Sequence, residues 1–184
     1  MSPAIGILEL SSIAAGFVVQ DTIIKAANIN LLIARTICPG KYIVVIGGNV
    51  ANVKISIQAG VKAGAGFIVD QLVIPKVDKK VFPALTGCVE IPKSYSKSLG
   101  IVETFSAVTI IQAADAAIKA ADIVLFRVHI SMAIGGKGFM LLCGDVAAVN
   151  TAVSASVASI KEEGMIVNKA MITGASKALF KEYI

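Results

Sequence analysis

The sequence predicts an α/β protein of the α+β type, built from two tandem ferredoxin-like units with the element order βαββαβ. The main observation is an internal repeat, in which residues 5–31 align with residues 99–125 at a constant offset of 94 positions. After a two-residue insertion the offset becomes 96. Each copy also contains the same series of short apolar runs and longer segments with helical spacing. We therefore expect a tandem duplication, with one domain over residues 1–90 and a second over residues 91–184.

The composition excludes several classes of protein. Of the 184 residues, 56% are hydrophobic and only 16% are charged, so a disordered chain is excluded. The longest stretch without a charged residue, Val146–Ile160, is 15 residues long. A membrane-spanning helix needs roughly 18–20 apolar residues, so no membrane partner is expected, and no secretory signal is visible at the N-terminus. Apolar surface is then hidden partly in a core and partly in subunit contacts.

The charge and cysteine patterns argue against nucleic-acid binding and against a disulfide framework. The formal net charge is +5, but all of the 17 basic residues except Arg35 and Arg127 are scattered lysines, and Trp is absent. Proteins that read nucleic acids usually rely on Arg and aromatic side chains. The three cysteines, an odd number without Cys-x-x-Cys spacing, favour a reducing cytosol.

The first repeat is predicted to contain four apolar strands and two main helices. The strands are Ala4–Leu10, Asn30–Ile37, Lys41–Gly47 and Gly66–Ile74. The helices are Ile13–Ala27, with Ser11-Ser12 as the N-cap, Asn49–Ala63, and a short tail, Val81–Leu85, that ends the unit. Cys38-Pro39-Gly40 separates the second and third strands, and Pro followed by Gly suits the centre of a type II turn. These two strands are therefore expected to form a hairpin or close antiparallel pair.

The second repeat is predicted to follow the same plan. Its strands are Gly100–Phe105, Val124–Met132, Gly138–Cys143 and Ile166–Thr173. Its helices are Ala107–Ala121, Val146–Glu162 and a tail, Ala175–Tyr183. Between the repeats, Thr86–Ser98 is rich in Ser, Lys and Gly and contains one Pro, which is typical of a linker.

Three segments carry a resemblance to a known family. The strand AIGILEL, the helix ending in DTIIKAANINL and the hairpin TICPGKYIVVIGG resemble the shell proteins of bacterial microcompartments. Two such units in one chain resemble the tandem-domain class, in which three chains make a pseudohexamer. The TICPGK segment resembles a propanediol-utilisation subgroup whose first-domain pore loop carries a single cysteine. The family resemblance covers nearly the whole chain.

The resemblance implies a homotrimer that tiles edge to edge with neighbouring shell hexamers into a sheet enclosing enzymes. The loops between the second and third strands would line a pore on the threefold axis. In this sequence they are Thr36, Ile37, Cys38, Pro39 and Gly40 in the first repeat, and Ser131, Met132, Ala133, Ile134, Gly135 and Gly136 in the second. In the subgroup the pore cysteine, here Cys38, binds a [4Fe–4S] cluster, one per trimer. Shell-edge contacts would fall on Lys25, Lys119 and Lys76, the last where an arginine is common.

The residues of the first loop are compatible with that implication. One cysteine cannot hold an iron–sulfur cluster, but a threefold axis brings three Cys38 sulfurs to one point. Pro39 restricts its neighbour to extended geometry, and Gly40 can adopt a positive φ at no steric cost. The second loop is two residues longer and has no cysteine, so a trimer offers three thiolates and leaves the fourth iron for water, a small ligand or a visiting partner. A small buried turn residue is the alternative for Cys38.

The remaining candidates are interpreted as structural. Cys143 is expected in the core, Cys88 has no assigned role, and His129 is expected to be a hydrogen-bonded strand residue. Glu9 and Glu103 occupy equivalent strand positions and are not expected to form a catalytic pair. No nucleotide-binding glycine motif and no Ser-His-Asp set is present, so an enzyme is not expected.

The function that the sequence predicts is a structural shell protein, located in the shell of a cytoplasmic microcompartment. Its pore would pass electrons or clusters, with encapsulated redox enzymes or an electron carrier as partners. One alternative is a metabolite-pore shell protein without a cluster. The other is a trimeric ferredoxin-like regulator that binds nucleotides.

Overall fold

The protein is described from a computed structural model that covers residues 4–92, 98–160 and 164–181. The chain forms two compact units. Unit 1 contains the described residues up to Val77 together with Met132–Gly136. Unit 2 contains Asp78–Ser131 and the described residues from Lys137 onwards.

Unit 1 has the predicted order of elements. They are β1 (Ala4–Leu10), α1 (Ile13–Ala26), β2 (Asn30–Ile37), β3 (Lys41–Gly48), α2 (Val50–Ala63) and β4 (Ile68–Ile74). The four strands form one antiparallel sheet in the order β2-β3-β1-β4. In its register Leu8 pairs with Val44 on one side and Gln71 on the other. This is the ferredoxin-like arrangement that the repeat predicted.

Side-chain caps begin both main helices of unit 1. The Ser12 hydroxyl accepts the backbone N–H of Ala15 at 3.3 Å, and the Asn49 side chain accepts the N–H of Asn52 at 2.8 Å. Each cap satisfies a donor that the first helical turn leaves without an intrahelical partner. Both helices pack on the sheet face that carries Leu8, Leu10, Tyr42, Val44 and Ile46.

Unit 2 repeats the fold. Its elements are α3 (Val81–Thr86), β5 (Ser98–Thr104), α4 (Ala107–Ala120), β6 (Val124–Ile130), β7 (Gly138–Gly144), α5 (Val146–Ile160), β8 (Ile166–Thr173) and α6 (Lys177–Lys181). The sheet order β6-β7-β5-β8 matches that of unit 1 position by position. The fold class predicted from the sequence is confirmed.

Several element boundaries differ from the prediction. β4 begins at Ile68, because Gly66 has φ +86° and Phe67 donates its N–H to Gly64 O in a turn. β6 ends at Ile130, because the next residue, Ser131, has φ +52°. The tail helix α6, Lys177–Lys181, begins two residues later than the predicted start at Ala175. Its predicted end at Tyr183, like that of the α5 segment at Glu162, lies outside the described residues.

The segment predicted as a linker is partly built into the fold of unit 2. α3 packs against β6 and α4, and its Thr86 end is closed by Gly87 at φ +72°. Val89 and Ile91 pack against a buried cluster that includes Leu99 and Phe126. Ser98 already belongs to β5 and is fully buried. The apolar residues of this stretch therefore contribute to the core of unit 2, while residues 93–97 are not described.

Candidate functional site

The candidate site is the three-residue loop that joins β2 to β3. Ile37 pairs with Lys41 across the hairpin, which leaves Cys38, Pro39 and Gly40 as the loop. Gly40 has φ +72°, as the predicted turn requires, and the Cys38–Pro39 peptide is cis, which the sequence analysis did not anticipate. Cys38 is half-buried, whereas Pro39 and Gly40 are exposed. The loop therefore holds its one thiol at the end of a sheet, beside two exposed residues.

A glutamate in the first strand binds the lysine that follows the loop, in both repeats. Glu9 in β1 accepts a hydrogen bond from Lys41, and Glu103 in β5 accepts one from Lys137 at 2.9 Å. The Glu9 side chain is 0% exposed and that of Glu103 is 32% exposed. The Oε2 atom of Glu9 is buried without a hydrogen-bond partner in the structure. The two pairs are thus equivalent in sequence but unequal in burial.

The second loop, from Ser131 to Gly136, lies against the first. Four of its residues have a positive φ: Ser131, Ala133, Gly135 and Gly136. Ser131 donates its N–H to Lys137 O at 2.9 Å and closes the base of the loop. Gly136 approaches the first loop so closely that a Cβ on it would lie 3.0 Å from the carbonyl oxygen of Cys38 and 3.0 Å from Pro39 Cδ. A loop without a cysteine therefore packs on the loop that has one.

The residues that the resemblance assigns to a pore differ in exposure. Thr36, Pro39, Gly40, Met132 and Gly135 are exposed in the isolated chain. Ile37, Ser131 and Gly136 are buried. Whether any of them lines a pore stays a prediction, and for the three buried residues the sequence pattern gave no sign of burial.

The other two cysteines have different surroundings. Cys143 is fully buried in β7, as predicted, and burial raises the pKa of its thiol to about 12. Cys88 is exposed, and its Sγ lies 3.7 Å from Thr86 O. Cys143 is enclosed by the core of unit 2, so its thiol is not available to a ligand shared between copies.

His129 has no metal-binding surroundings among the described residues. Its ring stacks on Phe139, the residue opposite it on β7, with centroids 5.1 Å apart. No group of three or more His, Cys, Asp or Glu residues in the described part of the chain is arranged to hold a metal ion. Within the described residues of one chain, Cys38 therefore has no second and third donor with which to hold a metal ion.

The lysines predicted at shell edges lie on the surface. Lys25 and Lys119 lie in the last turns of α1 and α4, where a positive charge interacts favourably with the helix dipole. Each binds the aspartate one turn earlier, Lys25 to Asp21 at 2.6 Å and Lys119 to Asp115 at 2.5 Å. Lys76, just after β4, is also exposed.

Each unit has one exposed apolar face, and the repeat-equivalent face of the other unit is buried. On α1, only three of 14 residues are buried, and Phe17 is 59% exposed. On α4, ten of 14 are buried, including Ile111, the equivalent of Phe17. On the sheets the difference in burial is reversed: unit 1 has the buried face, where Ile7 and Ile43 are fully buried. Their equivalents in unit 2 belong to an open apolar groove of about 360 Å³, lined by Leu99, Ile101, Glu103, Phe126, Phe139, Leu141, Ile172 and Leu179.

Comparison with known proteins identifies the class of protein that this duplicated fold defines. The family model of the BMC domain matches residues 4–77 and again residues 98–175. The chain belongs to the BMC-domain family. The resemblance inferred from the strand, helix and hairpin motifs is thereby confirmed.

Particular relatives are known for both sequence and structure. The chain is 41% identical to the bacterial microcompartment shell protein PduT of Citrobacter freundii over 184 residues, which cover 100% of this chain and 99% of the relative. It is 30% identical to the carboxysome assembly protein CcmO of Synechocystis over 134 residues, 66% of this chain and 45% of that protein.

Two solved structures share the fold. A crystal structure of a microcompartment protein from Desulfitobacterium hafniense superposes with a TM-score of 0.91 at 40% identity, covering 98% of this chain and 99% of that one. The fused permuted hexameric shell protein of the RMM microcompartment superposes with a TM-score of 0.65 at 21% identity, over 87% of this chain and 84% of that one. The second likeness shows the fold alone. In the described part of the chain, no helix is long and apolar enough to cross a membrane.

Two features of the site were missed at the sequence level. The first is the Glu–Lys pairing, although opposite charges at repeat-equivalent positions, Glu9 with Lys41 and Glu103 with Lys137, were a usable signal. The second is the contact between the two loops at Gly136, for which the sequence gave only a pair of glycines.

Proposed function

We propose that three copies of this structural shell protein close into a ring, and that three Cys38 thiolates at its centre hold one [4Fe–4S] cluster. The ring would then close part of a microcompartment shell and relay electrons, or exchange clusters, between the two sides. The observation that carries the proposal is the position of Cys38, a single half-buried thiol in a three-residue loop at the end of a sheet. Its support in sequence is the 41% identity with the shell protein PduT over the full chain.

The two open apolar faces support a ring of copies. The exposed face of α1, with Phe17, lies on unit 1, and the apolar groove beside Phe139 lies on unit 2. Two different surfaces on one chain favour head-to-tail contacts, and such contacts generate a closed ring when the rotation between copies permits it. The repeat indicates that both faces can be covered. The helix face exposed on unit 1 has a buried equivalent on unit 2, and the sheet face exposed on unit 2 has a buried equivalent on unit 1. Both faces would be buried only when further copies of the chain cover them.

The donor chemistry of the loop fits an iron–sulfur cluster. Thiolates are the ligands that hold such clusters, and a cluster supplies one-electron transfer at a potential set by its surroundings. Cys38 is the only thiol in either loop, and Cys143 is enclosed in the core. Three copies supply three sulfurs, which leaves one iron to a ligand from outside the chain. An open position of this kind suits an electron carrier or an encapsulated redox enzyme as partner.

The proposed test is the iron content of protein purified without air. Wild-type protein is expected to carry about four irons and four sulfides for every three chains, with the broad visible absorption of a cluster. Cys38→Ser should lose both, while Cys88→Ser, which removes an exposed thiol outside the loops, should keep them. Colourless wild-type protein without iron would contradict the cluster. A ring without metal would then be a shell protein whose pore passes metabolites.

A nucleotide-binding regulator is disfavoured by the geometry of the same loop. Such a regulator needs a long loop with basic side chains to bind phosphates. The loop between β2 and β3 has three residues, Cys38-Pro39-Gly40, and none of them is basic.

The exposed lysines at the helix ends are proposed as contacts between neighbouring rings. Lys25, Lys119 and Lys76 all lie on the surface of the chain. Lys25 and Lys119 occur at equivalent places in the two repeats, as expected if each side of a ring meets its neighbour in the same way.

A further inference from the structure

The contact between the two loops depends on a glycine. Gly136 is buried, and a Cβ at this position would lie 3.0 Å from the carbonyl oxygen of Cys38 and 3.0 Å from Pro39 Cδ. Contacts of 3.0 Å from a Cβ to a carbonyl oxygen and to a carbon are tighter than ordinary van der Waals contact, so a side chain here would require one of the two loops to shift by a few tenths of an ångström. The neighbouring Gly135 differs, since a Cβ on it would meet nothing within 4 Å.

The second loop has a defined shape. Its base is closed by the hydrogen bond from Ser131 N–H to Lys137 O, and Lys137 itself binds Glu103. Ser131 at φ +52° and Ala133 at φ +58° are non-glycine residues in the left-handed region, which costs about 1 kcal/mol or more for each. Such conformations persist only where the surrounding contacts determine them.

We infer that Gly136 is a positioning residue for the Cys38 thiol, because it lets the cysteine-free loop of the second repeat pack directly on the backbone of Cys38. The second repeat thus contributes to the site without a ligand of its own. The importance of this contact for metal binding rests on the proposed role of Cys38 as a cluster ligand. The contact itself does not, so the two can be tested separately.

The test compares Gly136→Ala with Gly135→Ala in a Cys88→Ser background. Both glycines have a positive φ, +87° and +67°, so each substitution strains the backbone. Only the Cβ at position 136 meets the first loop. We measure the rate at which iodoacetamide alkylates Cys38 in the folded, metal-free protein at one neutral pH, with the modified residue identified by mass spectrometry.

Gly136→Ala is expected to raise the alkylation rate of Cys38 by roughly fivefold or more, because the displaced loop uncovers the thiol. Gly135→Ala should leave it within about twofold of the parent rate. Equal rates in the two variants would overturn the inference. Should Gly136→Ala not fold, Gly136→Asn against Gly135→Asn decides, because Asn tolerates a positive φ better than Ala and still carries the Cβ.

Iron content separates this inference from the proposed function. Under anaerobic reconstitution, Gly136→Ala should bind less iron than Gly135→Ala. If wild-type protein binds no iron and the alkylation rates still differ, the cluster is wrong and the positioning role stands. If wild-type protein binds iron and the rates agree, the positioning role is wrong and the cluster stands.

Discussion

At the scale of single residues, the Glu–Lys pairs are equivalent in sequence but differ in burial. Glu9 is fully buried and its partner Lys41 is 18% exposed, whereas Glu103 and Lys137 are 32% and 41% exposed. Removing one partner of a buried ion pair leaves a charge without compensation in a medium of low polarity. An exposed pair that loses a partner is still solvated by water.

Lys41→Met is therefore expected to lower the free energy of unfolding by about 3 kcal/mol. Lys137→Met, the matched change in the second repeat, should lower it by less than about 1 kcal/mol. Urea denaturation of the two variants and the parent at one protein concentration measures the difference. An equal fall in the free energy of unfolding for both variants would show that burial does not make the first pair more important for stability than the second.

The buried thiol of Cys143 makes stability depend on alkaline pH. Its pKa rises from 9.0 to about 12 on burial, so the folded state keeps a proton that the unfolded state loses. The stabilisation is complete below pH 9.0 and declines as the pH rises from there towards about 12. Unfolding measured along this range should show a fall in stability that is smaller in Cys143→Ala. If stability falls equally with pH in both proteins, other groups cause the fall. Tyr42 is one of them, because burial also raises the pKa of its hydroxyl.

At the scale of elements, the repeats exchange large and small residues at the contact between helix and strand. In unit 1, Gly16 of α1 faces Tyr42 of β3, and a Cβ on Gly16 would lie 2.4 Å from the Tyr42 ring. In unit 2, the equivalent positions are Ile110 on α4 and Gly138 on β7. A Cβ on Gly138 would lie 2.6 Å from Ile110 Cγ2. At each contact one large side chain fills the space beside a glycine, but the element that supplies the large side chain is reversed.

This exchange predicts coupling between two substitutions in unit 1. Gly16→Ile should overpack the contact, and Tyr42→Gly should leave a cavity, each costing roughly 2–4 kcal/mol of unfolding free energy. The double variant should cost less than the sum by about 1 kcal/mol or more. Tyr42→Phe serves as a control, because it removes only the hydrogen bond to Gln20 Oε1 at 2.6 Å. Strict additivity in a chemical-denaturation cycle would contradict the exchange.

At the scale of the whole molecule, the open face of α1 predicts the effect of charge on assembly. Phe17→Lys should convert the proposed ring to single chains, because it would introduce a charge into the apolar contact proposed between copies. Ile55→Lys is the matched control, since Ile55 and its equivalent Thr151 are both exposed and show no difference between repeats. Sedimentation equilibrium gives the mass of each variant. Rings that survive Phe17→Lys would place the interface elsewhere.

The proposed association of rings into sheets has its own prediction. Lys25→Ala combined with Lys119→Ala should abolish extended sheets in electron micrographs and leave rings intact. Lys25→Ala should cost roughly 0.5 kcal/mol, because its partner Asp21 is exposed. Lys119→Ala should cost more, because the carboxylate of Asp115 is buried and keeps only the hydrogen bond from the N–H of Asp78. If the double variant still forms hexagonal sheets, these lysines are not needed for the contact between rings.

Much of the fold followed from local patterns in the sequence. The strand and helix periods, the Ser12 cap and the Pro39-Gly40 turn are short-range features, and each element they predicted is present. The cap at Asn49 was not predicted, because Asn49 was assigned to the helix itself. The assignment of α3 was less successful, because Val81 and Ala84 pack in unit 2 while their position in the chain suggested the end of the first repeat. Packing between segments that are distant in sequence is not encoded in a local period.

The sequence by itself determined the duplication, the order of the elements and the single cysteine between the second and third strands, because periodicity and turn chemistry act over a few residues. Only the tertiary structure decided which member of each equivalent pair is buried: Glu9 rather than Glu103, Ile111 rather than Phe17. It also decided that Gly136 lies against Cys38. Equivalent residues share a local environment, but their burial depends on what the rest of the chain places over them, and that differs between the repeats.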